Sequence, residues 1–312
     1  MIPAWSARPA TPAETPSTDG ADTPGSGRAS SFLGDAWSEL VHSPPFLISA
    51  GIAVLVLAMV AFPGLFAGLF GHGDPHNCNL VDSDLGPRAG HPFGFDVQGC
   101  DLFANVVYGA RDTVSIGLLV TGSSLLVAIV LGSTMGYLGG LVDTLLGRMA
   151  DVFFGFPFIL GALIILIDLP ERNVLTVSLV LVIFGWPTMT RLMRSTVLSE
   201  RNKDYVLGAR ALGASNFRIL RKHILPNALA PVVIYATLTT GGIMVAEATL
   251  TFLGVGLQAP AISWGLELAS AQNNIQQYPH LLVFPGLFLS ITVLSFVTLG
   301  DTLRDALDPK LR

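Results

Sequence analysis

Six stretches of this chain, about Phe46–Phe70, Thr113–Leu138, Ala150–Leu169, Val174–Met193, Leu229–Gly254 and Leu281–Leu299, are long, apolar and almost free of charge. A helix needs roughly 20 mainly apolar residues to cross the hydrocarbon core of a bilayer. Charged residues make up 12% of the 312 present, about half the usual share. A soluble single-core domain of that composition would expose an immense apolar surface. The sequence therefore predicts an all-α, polytopic membrane protein with six transmembrane helices.

Six crossings put both termini on one side, together with the connections that hold Arg148 and the run from Arg191 to Lys222. Of the 17 Lys and Arg residues, all but Arg88, Arg111 and Arg172 then share that side. Positive charge stays in the cytoplasm during insertion, so both termini are expected to be cytoplasmic. Residues 1–35, rich in Pro, Ser, Thr, Gly and Ala, read as a disordered tail. Residues 36–45, with Trp37, Leu40 and Val41 as an apolar stripe, read as a helix lying along the interface. Residues 46–312 form the permeating domain, with a long external loop at 71–110 and a short cytoplasmic tail at 300–312.

Within the spans, Gly132, Gly136 and Gly140, and Gly64 and Gly68, recur at intervals that let helices approach closely in lipid. Pro157 removes a backbone donor and should kink the third span. The short "PERN" after that span reads as a tight turn. Glu247 is the acidic residue set deepest in a span, and an ionisable group there is functional by default. It either lines a pathway or serves as a structural carboxylate near the outer interface. No Gly-rich phosphate loop, HExxH or GxSxG occurs, so no catalytic or nucleotide-binding engine is visible in this chain, and no nucleic-acid partner is expected.

The positive charge is not scattered. Arg191, Arg194, Arg201, Lys203, Arg210, Arg218, Arg221 and Lys222 crowd into the loop at 194–228 and the helix end leading to it. Lys203–Leu212 has a helical pattern that Gly213 breaks. Ser215 is placed to cap a second short helix, Asn216 to about Ile224, which Pro226 is expected to close. On that helix Phe217, Leu220 and Ile224 form an apolar face, while Arg218, Arg221 and Lys222 form a basic one. Such a knob serves either as an anchor on anionic lipid or as a protein-docking element.

The segment "DYVLGARALGASNFRILRKHILPNALAP" resembles the cytoplasmic signature loop of binding-protein-dependent ABC importer permeases. Ala209, Gly213, Leu225 and Pro226 fall in the conserved slots of that pattern, together with Gly208 at its second position and Ala214 after the glycine. Leu207 stands where the family has an acidic residue, with Asp204 one turn earlier, and His223 stands for Ile. "HPFGFDVQGCDLFANVVYGAR", "AEATLTFLGVGLQAPAISWG" and "FPGLFLSITVLSFVTLGDTLRDALDPKLR" are similar to the dipeptide/oligopeptide branch, although Phe95 and Cys100 depart from its usual Thr and Arg.

The resemblance implies a type I ABC importer permease fold and ATP-driven peptide import by alternating access. The partners it implies are a second homologous permease, two cytosolic ATPase subunits that bind the ATP and Mg, and an external substrate-binding protein. This chain would carry no cofactor. In such permeases the loop seats in a groove of the ATPase, which assigns coupling to Asp204, Leu207, Gly208, Ala209, Gly213, Ala214, Phe217, Arg218, Leu220, Arg221, Leu225 and Pro226. Gly213 is expected where a Cβ would clash. Rival readings are a stand-alone secondary transporter, a lipid-binding scaffold, and a permease for nickel or haem-like cargo.

The external loop holds both cysteines, Cys78 and Cys100, on the oxidising side of this topology. A disulfide between them would contribute roughly 3 kcal/mol by closing the loop. The rival is a metal site in "HGDPHNC", whose spacing fits no standard zinc pattern. The loop's five aspartates, Asp74, Asp82, Asp84, Asp96 and Asp101, are offered either to a binding protein or to water. Trp264, in the last external loop, suits the aromatic belt of a membrane interface.

Overall fold

The computed structural model describes residues 40–71 and 73–307. The tail 1–35, Trp37, His72 and Asp308 lie outside them, and of the expected interfacial helix only Leu40–His42 is described, as one helical turn. The architecture is all-helical, with no named strand among the described residues. Ten helices are numbered here in chain order: α1 (Pro44–Ala61), α2 (Pro63–Ala67), α3 (Leu102–Leu138), α4 (Gly140–Phe154), α5 (Phe158–Ile167), α6 (Val174–Arg201), α7 (Asp204–Ala211), α8 (Asn216–Phe252), α9 (Trp264–Ser270) and α10 (His280–Leu307). Helix α8 is central and packs on α10, α3 and α6, while α1 lies on the outer side of α10 and α3.

Five of these helices, α1, α3, α6, α8 and α10, are long and apolar enough to cross a membrane. A sixth crossing exists only if α4 and α5 are one span, and they are bent by 79°. The kink expected at Pro157 is thus present, as a full break within the expected span Ala150–Leu169. Pro157 sits at the N-cap of α5 after Gly155 and Phe156, and its missing N–H ends the hydrogen-bond ladder there. Helix α4 begins earlier than expected and carries Asp143 and Asp151, which it turns toward Arg194 and Arg191 of α6. Proline also divides the first span. Phe62, held out of the helical region before Pro63 (φ −131°, ψ 57°), ends α1 at Ala61.

Helix α3 starts at Leu102, inside the stretch expected to be loop, because Asp101 caps it by accepting from the Phe103 N–H at 2.9 Å. Asn173, in the "PERN" turn, forms a reciprocal capping box with Thr176 and starts α6. At its far end α10 continues without a break to Leu307, so the expected tail from residue 300 is, as far as it is described, a continuation of the last helix.

The small-residue pattern divides cleanly. A Cβ on Gly132 would lie 2.6 Å from the Thr190 carbonyl oxygen, and one on Gly136 would lie 2.8 Å from that of Arg194. There α3 and α6 touch backbone to backbone, a contact only glycine allows. Gly140 instead begins α4 at φ +59° with open space around it, and Gly64 meets only an ordinary contact. Replacing Gly136 by Leu should therefore cost about 1–3 kcal/mol. It should lower the thermal unfolding midpoint in detergent, while Gly122→Leu, with nothing within 4 Å, should leave it unchanged.

Candidate functional site

Helix α7 ends in a Schellman motif. Ala214 N–H donates to the Ala209 carbonyl at 3.1 Å and Gly213 N–H to that of Arg210 at 3.0 Å, with Gly213 at φ +78°. Nothing lies within 4 Å of where a Gly213 Cβ would stand, so the expected clash is corrected: the left-handed backbone requires glycine, not crowding. The chain then reverses into α8. The knob so formed is pinned from below by Val206, Ile219 and Ile224, all fully buried with Met193 and Val197. Tyr137, near the end of α3, donates its hydroxyl to Asn216 Oδ1 at 2.8 Å and fixes the start of α8.

Two expectations for this element are corrected. Pro226 closes nothing: α8 runs unbroken from Asn216 to Phe252. A π turn at Leu220–Ile224, in which Leu225 N–H reaches back to the Leu220 carbonyl, absorbs the proline at the start of the following α-helical stretch. That wider turn also rotates the face by roughly a quarter turn relative to a regular helix. Phe217, Leu220 and Ile224 are therefore not one exposed stripe. Ile224 is buried, Leu220 is half-buried and Phe217 is 72% exposed. Ser215 occupies the N-cap position but its hydroxyl bonds no backbone N–H.

The apolar tip of the knob is Leu212, 90% exposed, with Phe217 across Gly213 from it. Leu207 is half-exposed beside them, Asp204, Gly208 and Pro226 are exposed, and Ala209, Ala214 and Leu225 are half-buried against the core. Leu212 escapes sequence reasoning because nothing in its spacing distinguishes it from the helical face it ends.

The basic residues fall into two groups. Arg194 grips Asp143 through two hydrogen bonds, Arg191 pairs with Asp151 and covers Phe154 at 4.1 Å, Lys203 meets Glu200 at 2.6 Å, and Arg201 donates to the Tyr137 carbonyl at 2.8 Å. Arg191 and Arg194 tie α6 to α4 and Arg201 ties it to α3, while Lys203 pairs locally with the end of α6. Arg210, Arg218, Arg221 and Lys222 are exposed and have no ion-pair partner among the described residues. Arg210 precedes the apolar tip at the end of α7, and Arg218, Arg221 and Lys222 follow it in the first turns of α8.

A family model described as the binding-protein-dependent transport system inner membrane component matches residues 128–312, the part that contains the knob. The chain belongs to that family. It is 36% identical over 263 residues to the oligopeptide transport system permease protein OppC of Bacillus subtilis, covering 84% of this chain and 86% of that protein. It is 37% identical over 287 residues to the dipeptide transport system permease protein DppC of the same organism, covering 90% and 87%. The glutathione transport system permease protein GsiD of Pectobacterium atrosepticum is 34% identical over 269 residues, covering 85% and 87%. This permease chain is therefore a multi-pass membrane component of an ABC transport system.

At the opposite end of the permease, Glu247 is fully buried near the end of α8. Its carboxylate accepts from Thr251 Oγ1 at 2.8 Å and Ser263 Oγ at 3.4 Å. Thr251 Oγ1 in turn accepts from Leu257 N–H at 3.1 Å, and Ser263 caps α9. Glu247 thus sits beneath the turn that joins α8 to α9. Trp264 is also fully buried, with its indole N–H on the Val106 carbonyl at 2.8 Å, which corrects its expected place at a lipid interface.

Cys78 and Cys100 form a disulfide with their Cα atoms 4.0 Å apart. The loop's aspartates mostly turn inward. Asp101 is buried and also meets His91 Nδ1 at 2.8 Å, Asp96 accepts from Cys100 N–H at 2.7 Å and Asn105 Nδ2 at 2.9 Å, and Asp82 pairs with Arg88 at 3.0 Å. Asp96 and Glu267 of α9 line one cavity of about 280 Å³ beside the disulfide. Burial holds the Asp96 carboxyl above its usual range against the pull of its N–H donors. Burial, with the Asp96 charge adding to it, pushes Glu267 up to about 8.

A carboxyl raised from 4.5 unfolded to about 8 folded holds its proton in the native state across that interval. Its stabilising contribution is largest below pH 4.5 and fades as the pH rises through 8. The thermal midpoint of the purified protein should therefore fall between pH 5 and pH 8.5, and Glu267→Gln should flatten that fall.

Proposed function

We propose that this chain is one half of the translocation pathway of a peptide importer, driven by ATPase subunits that seat on its Gly213 knob. Supporting this is one observation above the others: an apolar tip of Leu212 and Phe217, flanked along the chain by four exposed cations that have no ion-pair partner among the described residues. Isolated hydrophobic residues on a surface need no partner, but a pair on a rigid reversal, backed by a fully buried hydrophobic base, is built for contact. The tip would enter a groove of the ATPase. Arg210, Arg218, Arg221 and Lys222 would meet acidic or carbonyl groups at its rim and fix its orientation more than its affinity.

Six crossings follow if α4 and α5 serve as one broken span, which places both chain ends on the knob side. The four exposed cations then favour that side as cytoplasmic. ATP binding moves the ATPase subunits, and the knob carries that motion into α6 and α8, both of which reach it. An ATPase shifts the inward–outward equilibrium only through contacts that differ between the two states. The knob supplies that contact. A second, related permease completes the pathway, an external binding protein delivers cargo, and no reaction is catalysed in this chain. Relatives named for oligopeptides, dipeptides and glutathione favour peptides over nickel or haem as cargo. Glu247 acts as a brace for the α8–α9 turn in this scheme.

The test is a mild-detergent purification from the native host. The native chain should bring down an ATPase subunit. The double variant Leu212→Asp with Phe217→Asp should retain the second permease but lose at least nine-tenths of the ATPase. Undiminished ATPase recovery with the double variant would contradict docking at this tip.

A further inference from the structure

A cavity of about 360 Å³ opens between α3, α6 and α8 at the break between α4 and α5. That is within the size range of small-ligand sites. Its lining contains no charged residue. One wall is aromatic: Phe153, Phe156 and Phe184. The other carries hydroxyls, of which Ser124 is the telling one. Ser124 is 2% exposed and its Oγ has no hydrogen-bond partner, although buried polar atoms are nearly always paired. The same hydroxyl lies 3.4 Å from where a Gly185 Cβ would stand, so a side chain at 185 would crowd it.

Behind the aromatic wall lies a second cavity of about 250 Å³, lined by Val152, Gly161, Ile164, Ile165 and Ile183 and sharing the same three phenylalanines. The wall is therefore a thin screen with room behind it. Phe156 is 54% exposed in the α4–α5 break, where no helix packing fixes it.

From this geometry we infer that the Ser124–Phe156 cavity receives an apolar or aromatic side chain of the cargo peptide, with Ser124 hydrogen-bonding the cargo's adjacent amide. The site discriminates by chemistry on both walls. A charged side chain entering it would lose its hydration against phenyl rings with no counter-charge to meet. An apolar side chain loses nothing, and the yielding screen accommodates different sizes. A peptide amide is the natural partner for the lone hydroxyl, because it offers both a donor and an acceptor. This inference rests on the peptide-import reading and adds a specificity site to it.

The experiment uses inverted or right-side-out vesicles, as topology requires, containing the whole assembly with its binding protein. ATP-dependent uptake of radiolabelled Phe-Ala is compared with that of Lys-Ala. The binding protein is common to every sample, so a change in the ratio between variants belongs to the permease. Phe156→Glu should shift the Phe-Ala to Lys-Ala uptake ratio at least tenfold toward Lys-Ala. Ser124→Ala should lower uptake of both peptides about fivefold or more, and Ser124→Thr, which keeps the hydroxyl, should restore at least half of it. Blue-native gels confirm that each variant is assembled. An unchanged ratio in Phe156→Glu together with unchanged uptake in Ser124→Ala would overturn the site, and would assign the cavity to lipid or to the second permease. If the native assembly took up neither peptide, the peptide-import reading itself would fall, and the site with it.

Discussion

Hydrocarbon offers no partner to a backbone N–H or C=O, so a chain that crosses it must satisfy those groups itself wherever a helix stops or bends. Nearly every feature of this permease follows from how that demand is met. Asp101, Asn173 and Ser263 cap the starts of α3, α6 and α9 with their own side chains. Arg201 reaches the last carbonyls of α3, and the Gly213 reversal closes the end of α7 with two backbone bonds. The two π turns, in α3 and α8, carry their helices past irregularities without leaving them. The 79° break between α4 and α5 lies beside the cavity assigned to cargo. Irregular backbone at membrane depth is tolerated where it lines a cavity.

The crowding of positive charge around one loop has two physical explanations. Four of the cations are internal fasteners. Arg194 with Asp143 and Arg191 with Asp151 join helices far apart in sequence, and such pairs gain most where water is partly excluded. Arg210, Arg218, Arg221 and Lys222 are exposed on either side of Gly213 in the chain and have no ion-pair partner among the described residues. Charge left unpaired on a rigid element is a means of steering and orienting a partner. The knob's base is formed by Val206, Ile219 and Ile224, fully buried in one cluster with Met193 and Val197 of α6.

Much of this was legible in the sequence, and the losses are instructive. Apolar run length identified the crossing helices, and the Gly213 spacing identified the knob. Membership of the permease family was readable from the motif around that glycine. The kink at Pro157 was legible from its missing N–H, but run length failed at Pro63, where the same local loss outweighs hydrophobicity. It failed again at Leu102, because a cap and not an apolar residue decides where α3 begins. Helical-wheel reasoning misassigned Ile224, since a π turn changes the angular step and leaves no mark in composition. Trp264 was misplaced for a different reason: an indole can satisfy its N–H either in interfacial water or on a buried carbonyl, and only the fold supplies Val106. The partners of Arg191 and Arg194 were invisible because helix pairing is a long-range fact.

The account stands or falls on what touches Leu212. The two cysteines of the chain are joined to each other, so Leu212→Cys would introduce a single free thiol at the tip of the knob. A short photoreactive thiol reagent attached there, activated in native membranes, would record its neighbour. The account predicts a covalent adduct with an ATPase subunit whose yield changes when ATP is added. Adducts with lipid alone, with or without ATP, would contradict it.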